Sequence, residues 1–138
     1  MQPQHDKLEL QLARLAERSA ALGLEQLTLE EQQALVAYST HGLVAQGGLK
    51  QFYAGPLPLG ALVTALRAIK LSALANAAQA TAAQFPDPQL AEDPVARKPY
   101  VAGLNTDKQD YVFFRLSSEE LLSAIAAFWK RSRSATAR

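Results

Sequence analysis

Apolar residues recur every three to four positions along most of the chain, a spacing that predicts amphipathic helices. From about Gln4 to Leu22, the residues Leu8, Leu12, Leu15 and Leu22 share one stripe. Ala13, Ala16 and Ala20 widen it, and Lys7, Arg14, Glu17 and Arg18 lie opposite. Gly23 follows as a left-handed stop. A second helix opens at Thr28-Leu-Glu-Glu31, a capping box in which Thr28 caps and Glu31 reaches back. Leu35, Val36, Ala37 and Tyr38 carry it to about Val44. A long alanine-rich helix is predicted from Leu59 to about Gln84, its inward face formed by Leu62, Ala65, Leu66, Ile69, Ala73, Leu74 and Ala77. A last helix opens with a second capping box, Ser117-Ser-Glu-Glu120, and presents Leu121, Leu122, Ile125, Phe128 and Trp129 on one side.

The breaks between these patterns are as informative. Gln46-Gly47-Gly48 permits backbone angles that other residues adopt only at a cost, so a sharp corner is predicted before Leu49. Leu49, Phe52 and Tyr53 then stand at i, i+3 and i+4, and a short helix gathers them on one side. Gly55-Pro56-Leu57-Pro58 ends it. Phe85 to Tyr100 is punctuated by proline and charge and reads as a surface loop with at most a turn of helix. Tyr111-Val-Phe-Phe114 has strand-like composition without a partner strand, so it reads as an irregular aromatic segment ahead of the last helix. The tail from Lys130, KRSRSATAR, is basic and reads as fraying. The fold predicted is all-α, one domain over 1–138 with about five to six helices.

Composition narrows the functions open to such a chain. Of its 138 residues 49% are hydrophobic and 20% charged, enough for a packed core and too apolar for disorder. Fourteen basic against 13 acidic residues leave a net charge of +1, which does not point to nucleic acid or an anionic membrane as partner. There is no cysteine, so disulfides, thiolate metal sites and thiol nucleophiles are excluded. The amino terminus lacks the apolar stretch of a signal peptide, and no apolar run approaches the roughly 20 residues of a membrane helix. A cytoplasmic, soluble protein is the expectation.

Candidate chemistry is sparse. His5 lies near the terminus, and His41 follows Ser39-Thr40 too closely for a triad, because neighbours on a helix point in different directions. A packed histidine, or one favoured by a helix dipole, is the better reading. Gly47-Gly48 lacks the longer glycine pattern and Lys-Ser/Thr of a phosphate loop, so Gln51 is assigned to bonding backbone at the corner. Asp87, Glu92, Asp93, Asp107 and Asp110 match no calcium loop and read as solvated. Arg97-Lys98 and Lys130-Arg131-Arg133 read as solubility features. No catalytic, cofactor-binding or metal-binding residue is assigned. An enzyme reading would rest on His41 beside Gly47-Gly48.

The corner Gln46-Gly47-Gly48-Leu49-Lys50-Gln51-Phe52-Tyr53 resembles the mark of the DNA-mimic-protein-like family of bacterial domains, an Asn-Gly-Gly-Phe step followed by a variable residue, Gln and two aromatics. Gln46 stands where Asn is usual and Leu49 where Phe is usual. The next helix is similar through Ala65-Leu66-Arg67-Ala68-Ile69, with Lys70 where the family often has Gly, and the end is similar through Asp110-Tyr111 and Glu120-Leu121-Leu122. The resemblance spans roughly 27–131, leaving 1–26 as an added amino-terminal helix and 132–138 as the basic tail. It implies an all-helical fold and a protein that acts by binding another protein. DNA mimicry needs a dense carboxylate array, which scattered acids do not supply. An immunity or antitoxin-type inhibitor is therefore the expected role, a DNA-mimic regulator the alternative. A homodimer through the leucine stripe of the first helix is a further expectation.

Overall fold

The structure, a computed structural model, describes residues 3–136, with side chains from 5 to 133. It is all-α, and there is no strand among the described residues. The helices are α1 (Pro3–Leu22), α2 (Leu29–Gly47), α3 (Leu49–Tyr53), α4 (Leu59–Ala68), α5 (Ser72–Thr81), α6 (Asp107–Phe114) and α7 (Ser118–Thr136). Short 3₁₀ segments occupy Leu24–Gln26, Ala82–Gln84, Pro88–Glu92 and Lys98–Gly103.

Both capping boxes form. Thr28 Oγ1 accepts from Glu31 N at 3.2 Å while Glu31 accepts from Thr28 N at 2.9 Å, and Ser117 and Glu120 repeat the exchange at 3.1 and 3.2 Å. Each satisfies two of the N–H groups that a helix start leaves without partners. α2 is the central element: it packs on α4, α3, α6, α1 and α7. Accordingly Ala34, Leu35, Val36 and Ala37 are all buried, four consecutive positions that no single stripe would cover. Leu8, Leu12 and Leu15 of α1 are buried against α2 and α7. That stripe is therefore used within the chain, and the proposed homodimer through it loses its basis.

Several sequence expectations are corrected. Leu22, placed on the stripe of Leu8, Leu12 and Leu15, is 61% exposed. Ala13, Ala16, Ala20 and, on α5, Ala73 also face outward. The predicted long helix is two helices. Leu71 N bonds to Leu66 O at 2.8 Å, and between them Lys70 takes φ 66, a left-handed residue that breaks the ladder and turns α5 back on α4. The irregular aromatic segment is the helix α6. Its Phe113 points into the core, whereas Tyr111 and Phe114 are exposed, so the strand-like composition came from rings that pack on nothing inside. The basic tail does not fray at Lys130: α7 continues to Thr136, and the last two residues lie outside the described range. The segment from Phe85 to Tyr100 is largely 3₁₀ and turn, and it holds buried side chains at Phe85, Ala91 and Arg97.

Candidate functional site

The glycine corner is a structural joint made by two buried charges. Gly47 ends α2, and Gly48 takes φ 82 and ψ 177 before α3 begins. That backbone region is close to glycine-only, and a Cβ at Gly48 would also run into the Asp110 carboxylate. Close approach serves a purpose. Asp110 Oδ1 accepts from Leu49 N at 2.7 Å, and Oδ2 accepts from Thr106 Oγ1 at 2.9 Å. A five-residue helix is too short to satisfy its own ends, and a distant carboxylate from α6 caps the start of this one.

Arg97 caps the other end. Its guanidinium is fully buried and donates to Tyr53 O (2.9 Å), Gly55 O (3.1 Å) and, as a second donor beside Gly55 N, Phe52 O (3.4 Å), carbonyls at and just past the end of α3, and to Ala91 O (2.6 Å). It lies over the rings of Phe52 and Tyr53, 5.4 and 5.2 Å from their centroids. No described carboxylate comes within 4.0 Å of it; backbone dipoles hold the charge. Burial lowers the Arg97 pKa, offset in part by Tyr53, Glu92 and Asp93. Burial likewise raises the Tyr53 hydroxyl well above the ordinary tyrosine range. That hydroxyl donates to Ala78 O at 2.9 Å, and its ring continues an edge-to-face chain through Phe52, Phe85 and Tyr100. α3 thus carries a negative group at its amino end and a positive one at its carboxyl end, the arrangement its dipole favours.

The predicted motif residues divide sharply. Leu49, Phe52 and Tyr53 are buried together, as the spacing required. Gln46 and Gln51 are exposed. Gln51 lies over Gly47 rather than bonding the corner; the remote Asp110 makes that bond. His41 is 75 residues from its partner and donates from Nε2 to Leu116 O at 2.8 Å, joining the end of α6 to α2. The His41 imidazole is thus taken up by a backbone carbonyl, and neither His41 nor Gln51 lines the groove at the junction of α1, α2 and α7. Other acids expected to be solvated are backbone caps. Asp87 accepts from Gln89 N, Asp93 from Val95 N and Ala96 N, and Glu92 from Gly60 N at 3.0 Å. Arg97, read as a solubility feature, is the largest fully buried side chain among the described residues.

His5 is not a terminal straggler. It is buried, its Nδ1–H donates to Glu119 Oε2 at 2.7 Å, and its Nε2 lies 3.3 Å from Ser123 Oγ. The order Ser–His–Glu is that of a hydrolytic triad. However, Ser123 sits inside a continuous helix, whose N–H groups are committed to the helix ladder and cannot form an oxyanion hole. The cluster clasps α1 to α7.

The open concave surface lies elsewhere, at the junction of α1, the start of α2 and the second half of α7. This groove has a volume of about 690 Å³, within the range of ligand-binding clefts. Leu15 and Trp129 supply its apolar floor, and Arg14, Glu30, Glu31 and Arg133 its charged lining. Trp129 is half-buried and held in place by donating from Nε1 to Glu30 O at 3.3 Å. Sequence periodicity placed Trp129 on the apolar side of α7 but gave no sign of a groove, since the other walls come from residues more than 95 positions away in the chain. Among the described residues no helix is long and apolar enough to cross a membrane. No family model, no curated protein and no solved structure matches the chain.

Proposed function

We propose that this chain is a non-enzymatic bacterial protein-interaction module, of the immunity or antitoxin type, that binds and blocks another protein. One observation carries the reading. His5, His41, Arg97 and Asp110 are engaged as caps and clasps, while an apolar groove with a charged rim lies open among the described residues. The alternative enzyme needs His41, Gln51 and a carboxylate in one cleft; against that reading stand the bond of His41 to Leu116 O and a groove lined by neither His41 nor Gln51.

The test is a photo-crosslinking amino acid placed at Gln11, on the groove, and separately at Tyr111, on the exposed face of α6, in the native host. A discrete adduct of defined mass from either position supports the reading. Silence at both positions, together with a turnover that disappears in His41→Gln while the fold is kept, would establish the enzyme instead.

A further inference from the structure

Arg14, Glu30 and Arg133 carry charges around the groove, and among the described residues no ion pair within 4.0 Å neutralises any of them. The acid lies on α2 and the two cations on α1 and α7. Glu31, also on the α2 side, already serves its own capping box and stands 3.8 Å from Arg18. Opposite charges thus share one rim without meeting each other, above a floor of Leu15 and Trp129. A uniformly acidic ligand would meet Glu30, and a uniformly basic one would meet both arginines. The walls also have a direction. α1 and α7 run the same way, since His5 meets Glu119 near their starts while Arg14 and Arg133, both further along, share the groove.

We infer that the groove receives an amphipathic helix of a partner protein whose apolar face carries anchors at i, i+3 or i+4 and i+7, and whose two flanks are split, acidic toward α1 and α7 and basic toward α2. The inference rests on the interaction-module reading and adds the chemistry of the partner. A helix seated with one flank toward the start of α2 and the other toward α1 and α7 gives each rim charge a counterpart on the flank that faces it, while its anchors meet Leu15 and Trp129.

Trp129 is the one tryptophan in the sequence, so its emission reports occupancy directly. Three synthetic helical peptides share the same leucine and phenylalanine anchors and differ in their flanks: glutamate on one and lysine on the other, glutamate on both, or lysine on both. The split peptide is expected to shift Trp129 emission and to bind about tenfold more tightly than either uniform peptide at low salt. In Arg14→Glu/Arg133→Glu the rim becomes acidic throughout, and preference moves to the lysine-flanked peptide. Equal binding of all three, no emission change with any, or an unaltered ranking in the double variant overturns the inference. So does an emission shift with doubled mass on raising protein concentration alone, which gives the groove to a second copy. A shift on removing residues 134–138 overturns it too, giving the groove to the chain's own end. A host adduct through Tyr111 with Gln11 silent defeats the groove assignment while the interaction-module reading stands; adducts at neither site defeat both.

Discussion

Replacing Arg97 by methionine keeps the apolar stem and removes the guanidinium, leaving the carbonyls of Tyr53, Gly55 and Ala91 without their donors. A buried carbonyl deprived of its partner costs about 1–3 kcal/mol, and each lost cation–ring contact about 0.5 kcal/mol. Against this, the variant no longer has to desolvate a charge, which returns several kcal/mol. The net expectation is a loss of about 3 kcal/mol. A chain of 138 residues has on the order of 7–20 kcal/mol of stability, so the variant folds but is measurably weakened. In urea titrations followed by far-ultraviolet circular dichroism, with a slope of about 2 kcal/mol/M, the midpoint falls by about 1.5 M. Arg97→Lys recovers less than half, because one ammonium cannot reach Tyr53 O and Ala91 O together and does not lie flat on the rings. Lys98→Met, its exposed neighbour, changes nothing. A midpoint shift under about 0.3 M for Arg97→Met, at unchanged slope, would show that water or a rearranged backbone satisfies those carbonyls and would refute the capping of α3 by Arg97.

Gly48→Ala combines a backbone penalty at φ 82 with a collision against Asp110 and is expected to lower stability by about 3 kcal/mol or more, read as a fall in Tm. Lys70→Gly should do the reverse: relief of the left-handed strain at an exposed position gains about 0.5–1 kcal/mol in the same scan. Tyr53 stays protonated in the folded protein above the ordinary tyrosine value of about 10, whereas the unfolded chain ionises there. Its contribution is therefore complete below pH about 10 and is lost as pH rises beyond it, at up to about 1.4 kcal/mol per pH unit. Urea midpoints between pH 9 and 11 should fall less steeply in Tyr53→Phe than in the parent; parallel slopes would reject the assignment. His5→Ala should loosen the first turns of α1 alone, seen as faster amide exchange there with α4 unchanged.

Local signals were legible where the physics is local. Both capping boxes, the glycine corner and the i, i+3, i+4 gathering of Leu49, Phe52 and Tyr53 depend on residues a few positions apart, and each formed as read. What was illegible depended on distance. Arg97 stands in a proline-rich, charged segment, and nothing beside it announces that three of its partners are 42 to 45 residues away. Asp110 is 61 residues from Leu49, and the same corner was assigned to the nearer Gln51. The break between α4 and α5 was hidden because a lysine occupies a conformation that glycine usually marks. Tyr111 and Phe114 raised the strand propensity of a segment whose fate was set by the helical partners of Phe113. The groove follows the same rule, since its walls come from both ends of the chain.

The side-by-side course of α1 and α7 bears on how the protein is made. Leu8, Leu12 and Leu15 are synthesised well before α7, the helix that completes their cover, and the His5 clasp joins positions 114 and 118 residues apart. Until α7 is made, that leucine ridge has only the cover α2 gives it, and its remaining greasy side is available to a chaperone or to a neighbouring polypeptide. Premature termination anywhere before α7 would release a product with that side still bare, so shortened messages should yield aggregates rather than smaller soluble domains.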